Sequence, residues 1–210
     1  MHYLISKLVA PQIEIENYNR FAFGALAPDM SSHADGSYNA AHFAGINQEM
    51  NAKGIDWRSF CRKYEPRFSD DLVLGYLVHL ISDAYWLKYI QNKFVMKFPE
   101  QKKLLISKGY EDMLIYNGIL TAAYQLHNDI VPEQNLPVTE IVKPQIEPYF
   151  AAFNRDFLCD EKDCAAFQVY PYEDVMAFIE HAVSLSVKEI NAIRSMTAGS
   201  NPEDYYVDIQ

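Results

Sequence analysis

The sequence contains few glycines, few cysteines and no long runs of β-branched residues. Only 8 of its 210 residues are glycine. Because β-branched residues favour strands, the shortness of their runs argues against a protein made mainly of strands. The three cysteines, Cys61, Cys159 and Cys164, do not show the spacing of a zinc ribbon. Cys159 and Cys164 flank four charged residues and would pair only in an oxidising compartment, so we expect free thiols.

The chain also lacks a segment that would carry it into or across a membrane. Its longest apolar stretch, residues 72–87, is too short to span a bilayer and is interrupted by His79 and Asp83. The N-terminal sequence MHYLISKLVAPQIEIE has no basic region followed by a long apolar stretch and a small-residue cleavage site. We therefore expect a cytoplasmic protein without a transmembrane segment.

Clustered positive charge is absent as well. Lysine and arginine number 18 against 28 aspartates and glutamates, and the formal net charge is −10. Because no basic cluster interrupts this acidic balance, we expect neither nucleic acid nor an anionic membrane as a partner. The balance does not exclude a small phosphoester that is held by a metal ion, and it leaves the oligomeric state open.

The patterns that are present predict an all-α, single-domain bundle of helices. The length suffices for one well-packed core, and no repeat, low-complexity tract or break in composition divides the chain. We predict a single helical domain over residues 1–198 and a C-terminal tail over 199–210. The predicted helices cover residues 3–9, 12–26, 40–53, 57–64, 70–94, 110–126, 138–158 and 174–196, with loops or linkers at 29–39, 95–107 and 132–137.

The segment GYLVHLISDAYW, residues 75–86, combines apolar residues with a histidine and a carboxylate. His79 and Asp83 lie one helical turn apart and share a face with Tyr76 and Trp86, which indicates that this face points inward. A buried carboxylate needs a partner, because its desolvation costs several kcal/mol. Either His79 or another helix supplies a hydrogen bond to Asp83, or both side chains bind a divalent transition metal.

Two earlier segments supply further candidate ligands. Asp29 follows a proline in the turn that ends GALAPDM, residues 24–30, and His42 lies at the start of a predicted helix in AAHF, residues 40–43. Taken alone, Asp29 is also explained as a cap or turn residue, and His42 as a hydrogen-bonded core histidine. Ligands from separate segments are, however, how helical bundles build a metal site in their core.

The segments GALAPD, SYNAAHF and GYLVHLISDAYW, in this order, resemble the zinc-dependent phospholipase C family, whose all-helical fold is shared with fungal single-strand nucleases. That family has a small-residue run ending in Asp, a His-Phe pair about a dozen residues later, and an HxxxD helix that begins with Gly. MHYLISKLV also resembles the family's first helix, in which a ligand histidine stands at the position of His2. The resemblance covers residues 1–90 and little beyond.

Carried over to this chain, the resemblance implies a bundle of the phospholipase C type with one metal ion held by Asp29, His42, His79 and Asp83. It implies a second metal ion that is bound by His2 and bridged by Asp83. Zinc is the expected ion, with one or two per chain, and iron, manganese or nickel suits the same mixed ligand set.

The family's third metal site is predicted to be missing or rebuilt. The family places a histidine six residues after the HxxxD aspartate, where this chain has Tyr89, and an HxxxE pair later in the chain. Neither His127 nor His181 is followed by a glutamate four residues on. The roles of these two histidines, and of His33 in the loop over the expected site, stay open, because solvation or ordinary packing explains each of them.

The resemblance implies a small-molecule phosphoester as substrate and metal-assisted hydrolysis as the reaction. A metal ion lowers the pKa of water from 15.7 toward about 7 and polarises the phosphoryl oxygen, and Asp29 is the expected general base as well as a ligand. Tyr38, Tyr76, Tyr85 and Tyr89 are candidates for lining the cleft, although ordinary packing explains them too.

Two other functions remain as alternatives. A non-catalytic metal-binding or scaffold protein would keep the fold and the first metal site while lacking the third. An HD-type phosphohydrolase is also helical, but it needs an adjacent His-Asp dipeptide, and none occurs in this chain.

Overall fold

The computed structural model describes residues 1–158 and 167–209, most of which are helical. The regular structure of these residues consists of eight α-helices and a small three-stranded sheet, so the predicted all-α class is correct in the main and omits only the sheet. The helices are α1 (His2–Val9), α2 (Tyr18–Leu26), α3 (Ser37–Ala41), α4 (Trp57–Tyr64), α5 (Asp71–Trp86), α6 (Lys102–Tyr124), α7 (Ile146–Asp156) and α8 (Tyr172–Arg194), and the strands are β1 (Ala44–Asn47), β2 (Ala52–Ile55) and β3 (Val207–Asp208).

Helix α5 runs through the centre of the molecule. Thirteen of its sixteen residues are buried, and α1, α2, α4 and α8 pack around it. A helix that is apolar on all sides belongs in a core, because each face must be covered by a neighbour. Asp70 caps its N-terminus by accepting a hydrogen bond from the backbone N–H of Leu72, at 3.0 Å. Beyond Trp86 the chain continues as a π-helix over Leu87–Met96.

The crossing of α2 and α5 is built on two glycines. A Cβ atom on Gly24 would lie 2.1 Å from the carbonyl oxygen of Leu72, and one on Gly75 would lie 1.9 Å from the carbonyl oxygen of Phe21. Both separations are far below van der Waals contact, so only glycine permits the two backbones to approach this closely. The contact draws the C-terminal end of α2 against the middle of α5.

The helix predicted over residues 40–53 is wrong, because β1 and β2 form an antiparallel hairpin there. Gly45 and Gly54 face each other across the two strands, and the ring of Tyr206 covers both of them. A Cβ atom would come within 2.1 Å of Tyr206 at Gly45 and within 2.3 Å at Gly54. Glycine is a poor helix former, and here its missing side chain makes room for an aromatic ring from the other end of the chain.

Residues 199–210, predicted as a tail, instead contribute to the fold as far as the structure describes them. β3 pairs antiparallel with β2, and both Tyr206 and Val207 are buried. The ammonium group of Lys88 also donates a hydrogen bond to the carbonyl oxygen of Tyr206, at 2.7 Å. The sequence did not reveal this role because strand pairing joins residues that are about 150 positions apart.

Several helix boundaries also differ from the prediction. α2 begins at Tyr18 and not at residue 12, because Asn17 caps it and the backbone N–H groups of Glu16 and Asn17 donate to the carboxylate of Asp71. The linker predicted at 95–107 is shorter, since α6 begins at Lys102. The helix predicted over residues 138–158 is also shorter: α7 begins at Ile146, after the turn Lys143–Gln145, so Pro144 precedes the helix.

Two further expectations concern membranes and cysteines. Among the described residues, no helix combines the length and the apolar character needed to cross a membrane. Cys61 is a free thiol, whereas Cys159 and Cys164 lie outside the described residues.

We expect Gly75→Ala to lower the free energy of unfolding by about 3 kcal/mol, because the new methyl group would overlap the backbone of α2. Urea denaturation followed by circular dichroism measures this change. Gly36→Ala is the matched control: Gly36 has a positive φ of 78° but nothing within 4 Å of its Cβ position, so only a backbone cost of about 1 kcal/mol is expected. Equal losses in both variants would contradict the close helix crossing.

Candidate metal centre

The structure brings the side chains of all five predicted site residues together beside the middle of α5. They come from four separate parts of the chain. His2 belongs to α1, Asp29 to the turn Ala27–Met30, His42 directly follows α3, and His79 and Asp83 belong to α5.

His42, His79 and Asp83 form the closest group of this cluster. The Nε2 atoms of the two histidines are 3.3 Å apart. The Oδ2 atom of Asp83 lies 3.4 Å from Nε2 of His42 and 3.3 Å from Nε2 of His79. Both histidines are buried, with side-chain exposures of 2% and 0%, so these atoms face one another in a space with little water.

Asp29 closes the group on the side that is open to solvent. Its Oδ1 atom is 3.7 Å from Nε2 of His42 and 3.8 Å from Nε2 of His79. Its side chain is 38% exposed, the largest exposure in the cluster. A molecule that enters from solvent therefore meets Asp29 before the other four residues.

His2 contacts the opposite side of Asp83. Its Nε2 atom is 3.2 Å from Oδ1 of Asp83, whereas His42 and His79 contact Oδ2 of the same carboxylate. The imidazole of His2 also stacks on that of His79, with ring centroids 3.8 Å apart. The Nδ1 atom of His2 is buried and forms no hydrogen bond with the described residues. Oδ1 of Asp83 thus faces His2, whereas its Oδ2 faces His42 and His79.

Backbone carbonyl groups set the orientation of the two buried imidazoles. Nδ1 of His79 lies 2.8 Å from the carbonyl oxygen of Ala25, and Nδ1 of His42 lies 3.0 Å from that of Tyr38. A carbonyl oxygen only accepts hydrogen bonds, so each Nδ1 atom carries the proton and donates. In the neutral form each Nε2 atom then presents a lone pair to the cluster, which is the arrangement of metal-binding histidines.

The cluster therefore consists of electron-pair donors that face one another. Two imidazole lone pairs and the oxygen atoms of two carboxylates meet within 3.3 to 3.8 Å. Such a group is stable only when protons or a cation occupy the space between its members. Among the described residues, the triads His2–Asp29–His79 and His42–His79–Asp83 each bring three ligand atoms within 4.8 Å of one another.

Without a metal ion, protons take the place of the cation. Burial lowers the pKa of His79, but the carboxylates of Asp83 and Asp29 outweigh it and raise that pKa to about 9. Burial opposes ionisation of both carboxylates, yet His79 and the other histidines lower the pKa of Asp29 to about 2 and that of Asp83 well below its usual value. The pKa of His2 is lowered, first by burial and then by repulsion from His79.

The remaining candidate residues lie outside this cluster, except Tyr38. Tyr38 stacks on His42, with ring centroids 3.9 Å apart. The buried hydroxyl of Tyr76 donates to the carbonyl oxygen of Ala41. The rings of Tyr85 and Tyr89 contact each other at an angle of 35°, and Tyr85 also packs against Tyr205 and His181. His33 stacks on the outer face of Tyr38, and His127 is exposed. Neither His127 nor His181 joins the described metal-ligand groups.

Tyr149 on α7 is a neighbour of the cluster that sequence reasoning missed. Helix α7 packs against the turn that carries Asp29, and the carboxylate of Asp29 raises the pKa of Tyr149 further after burial has raised it. No local pattern distinguishes Tyr149 among the 15 tyrosines of the chain. Its place beside Asp29 follows from the packing of α7.

Comparison with protein-family models, with curated proteins and with solved structures finds no match for this chain. The arguments on function therefore depend on the geometry of the cluster and on the motifs that led to it.

We expect the metal-free protein to lose stability as the pH rises from about 6.5 to about 9. A histidine whose pKa is raised by folding stabilises the folded state fully below its unfolded pKa, and this contribution disappears as the pH passes its folded pKa. For His79 the loss should reach about 3 kcal/mol, measured by urea denaturation of chelator-treated protein at several pH values.

The matched variants are His79→Gln, which should remove most of this pH dependence, and His181→Gln, which changes an exposed histidine and should keep it. A wild-type stability that stays constant between pH 6.5 and pH 9 would contradict the buried charge pair.

Proposed function

We propose that this protein is a metal-dependent hydrolase of phosphoesters, with one or two divalent transition-metal ions at the five-residue cluster and zinc as the first candidate. The observation that carries the proposal is the convergence of His2, Asp29, His42, His79 and Asp83 from four parts of the chain. The phospholipase C type of bundle, the small-molecule phosphoester substrate and the cytoplasmic location belong to the same proposal.

The residues fit a first ion that is held by Asp29, His42, His79 and Asp83. Zinc bonds to nitrogen and oxygen of about 2.0–2.2 Å separate neighbouring ligands of a tetrahedron by about 3.3–3.6 Å. The distances among His42, His79 and Asp83 are 3.3 to 3.4 Å, and those to Asp29 are 3.7 and 3.8 Å. The donor atoms are of the types that zinc, iron, manganese and nickel accept.

A second ion fits beside His2. The Oδ1 atom of Asp83 lies 3.2 Å from Nε2 of His2, whereas Oδ2 faces His42 and His79, so Asp83 would offer one oxygen to each ion. Nε2 of His2 would be the ligand of the second ion. The buried Nδ1 atom of His2, which has no partner among the described residues, is not one of the proposed ligands.

The chain's own residues suit hydrolysis at this place. A bound divalent ion supplies polarisation of the phosphoryl oxygen and a lower pKa for the attacking water. Asp29 is ionised at neutral pH, because the neighbouring histidines lower its pKa. As the most exposed carboxylate of the cluster, it is our candidate for accepting a proton from water. The buried side chains of His42 and His79 orient the site and exclude water from its inner side.

A non-catalytic metal-binding or scaffold protein is the second candidate, and the position of Tyr89 favours it. Tyr89 stands where the family has a ligand histidine, but it packs against Tyr85 and Tyr205 instead. Without a third ion the site offers less positive charge to a phosphate, so binding of metal without turnover is the outcome that this candidate predicts.

Elemental analysis of the purified protein tests the metal site. We expect about one or two equivalents of a transition metal in the wild-type protein and in His181→Ala, and loss of the metal in His79→Ala, because His79 contributes the most buried ligand. Equal metal contents in all three samples would show that the cluster is not the binding site.

Activity then separates the two candidates. Bis-(p-nitrophenyl) phosphate and p-nitrophenyl phosphate are offered to the protein with added Zn²⁺, Mn²⁺, Fe²⁺ or Ni²⁺. Turnover that follows the metal content of the variants supports the hydrolase. Stoichiometric metal without turnover of any phosphoester supports the scaffold protein.

We expect Asp29→Asn to reduce kcat by about 10²- to 10⁴-fold, which is the usual contribution of a general base. Metal should remain bound, because His42, His79 and Asp83 still provide three ligands. Steady-state kinetics and elemental analysis of the same sample measure the two effects. An unchanged kcat at full metal content would exclude Asp29 as the base.

A further inference from the structure

Tyr38 is held at the rim of the cluster by rings on both of its faces. Its ring stacks on His42 at a centroid distance of 3.9 Å and an interplanar angle of 19°. On its other face it stacks on His33, at 3.8 Å and 29°. The carbonyl oxygen of Tyr38 also accepts the hydrogen bond from His42. These contacts determine where the phenol ring lies, and they hold it half-buried beside the carboxylates.

Tyr149 approaches the same rim from another helix. It stacks on Phe153, at 6.2 Å and 14°, and contacts Phe150 edge-on at 6.0 Å. Asp29 lies within electrostatic reach of both tyrosine hydroxyl groups, and Asp83 within reach of that of Tyr38. A phenol from α3 and one from α7 thus lie near the most exposed ligand of the cluster, the first through its stacking on His42 and the second through the packing of α7 against the turn that carries Asp29.

Neither hydroxyl group forms a hydrogen bond with residues 1–158 or 167–209. By contrast, the buried hydroxyls of Tyr76 and Tyr116 donate to the carbonyl oxygens of Ala41 and Tyr170, as buried tyrosines usually do. In the described part of the chain, Tyr38 and Tyr149 therefore each keep an O–H donor that is available to water or to a bound ligand.

The charges around the cluster indicate which kind of group that is. In the described part of the chain, Asp29 and Asp83 form ion pairs with histidines only, and no lysine or arginine contacts them. A tetrahedral oxyanion at the proposed metal ions would therefore find no lysine or arginine paired with these two carboxylates. The N-terminal ammonium group of Met1 lies within electrostatic reach of Asp29, but burial lowers its pKa and so disfavours its charged form. Neutral phenols suit this place, because an O–H group donates a strong hydrogen bond to an anionic oxygen.

We propose that Tyr38 and Tyr149 donate hydrogen bonds to the phosphoryl oxygens of the substrate, and so form the oxyanion-binding part of the site. This inference rests on the proposed function, because it needs a phosphoester at the metal cluster. The two tyrosines contact the substrate and make the site selective for tetrahedral oxyanions.

Binding of inorganic phosphate to the zinc-loaded protein tests the inference. The variants are Tyr38→Phe and Tyr149→Phe, which keep the ring contacts and remove only the hydroxyl group. Tyr89→Phe is the matched control, since the ring of Tyr89 packs against Tyr85 and Tyr205 and has no ring contact with a residue of the cluster. Isothermal titration gives the phosphate Kd, elemental analysis gives the zinc content, and thermal unfolding reports on the fold.

We expect each rim variant to raise the phosphate Kd about tenfold, with zinc content and Tm as in the wild-type protein, because one hydrogen bond to a charged group is lost. Hydrolysis of bis-(p-nitrophenyl) phosphate should fall at least as much, and Tyr89→Phe should change neither quantity.

If the wild-type protein binds phosphate and hydrolyses the diester, but both rim variants keep the wild-type Kd at full zinc content, the inference is overturned while the proposed function stands. If the zinc-loaded wild-type protein neither binds phosphate nor hydrolyses any phosphoester, the proposed function fails and the inference fails with it.

Discussion

The close crossing of α2 and α5, in which Gly24 meets the backbone of Leu72 and Gly75 meets the backbone of Phe21, is the constraint on which the rest of the structure depends. Because neither position has a Cβ atom, the two helices approach until the carbonyl oxygens of one lie where the side chains of the other would be. The carbonyl group of Ala25 thereby comes within hydrogen-bond distance of His79. The turn that follows α2 brings Asp29 over the same point. A wider crossing would separate these groups, so the cluster is a consequence of how tightly the two helices pack.

The cluster would contribute little to the stability of the fold if it had only a structural role. It combines two buried imidazoles with the partly buried carboxylate of Asp83 and the more exposed one of Asp29, and all four present electron pairs to a common space. Apolar side chains of the same volume would stabilise a core at least as well. In the metal-free state the balance is kept by a proton on His79, whose pKa is raised to about 9. A divalent cation offsets the same repulsion without that proton. For this reason we interpret the cluster as a candidate cation-binding site and not as a set of polar side chains that only fill the core.

The site has a rigid inner side and an adaptable outer side. His79 and Asp83 are fixed on the buried helix α5, and His42 is held by its own helical turn through the carbonyl group of Tyr38. The outer side is formed by the partly exposed Asp29 and by half-buried tyrosines from α3 and α7. If the proposed metal ions bind, this arrangement would combine precise coordination on well-packed elements with access for a ligand on more exposed ones.

The sequence by itself determined the mostly helical class, the central helix and the pairing of His79 with Asp83, because these depend on local propensity, on caps and on the spacing of residues along one helix face. The full set of five clustered residues was indicated by the resemblance of three segments and the first helix to a known family. The sequence did not determine the hairpin of β1 and β2 or the pairing of β3. In segment 40–53 the local preference was overridden by Tyr206, which packs on two glycines from about 150 residues away. Only the tertiary structure decided that Tyr38 and Tyr149 flank Asp29 while Tyr85 and Tyr89 lie elsewhere. The packing of whole helices decides which of the many tyrosines lies beside the cluster. Local sequence patterns do not predict this packing.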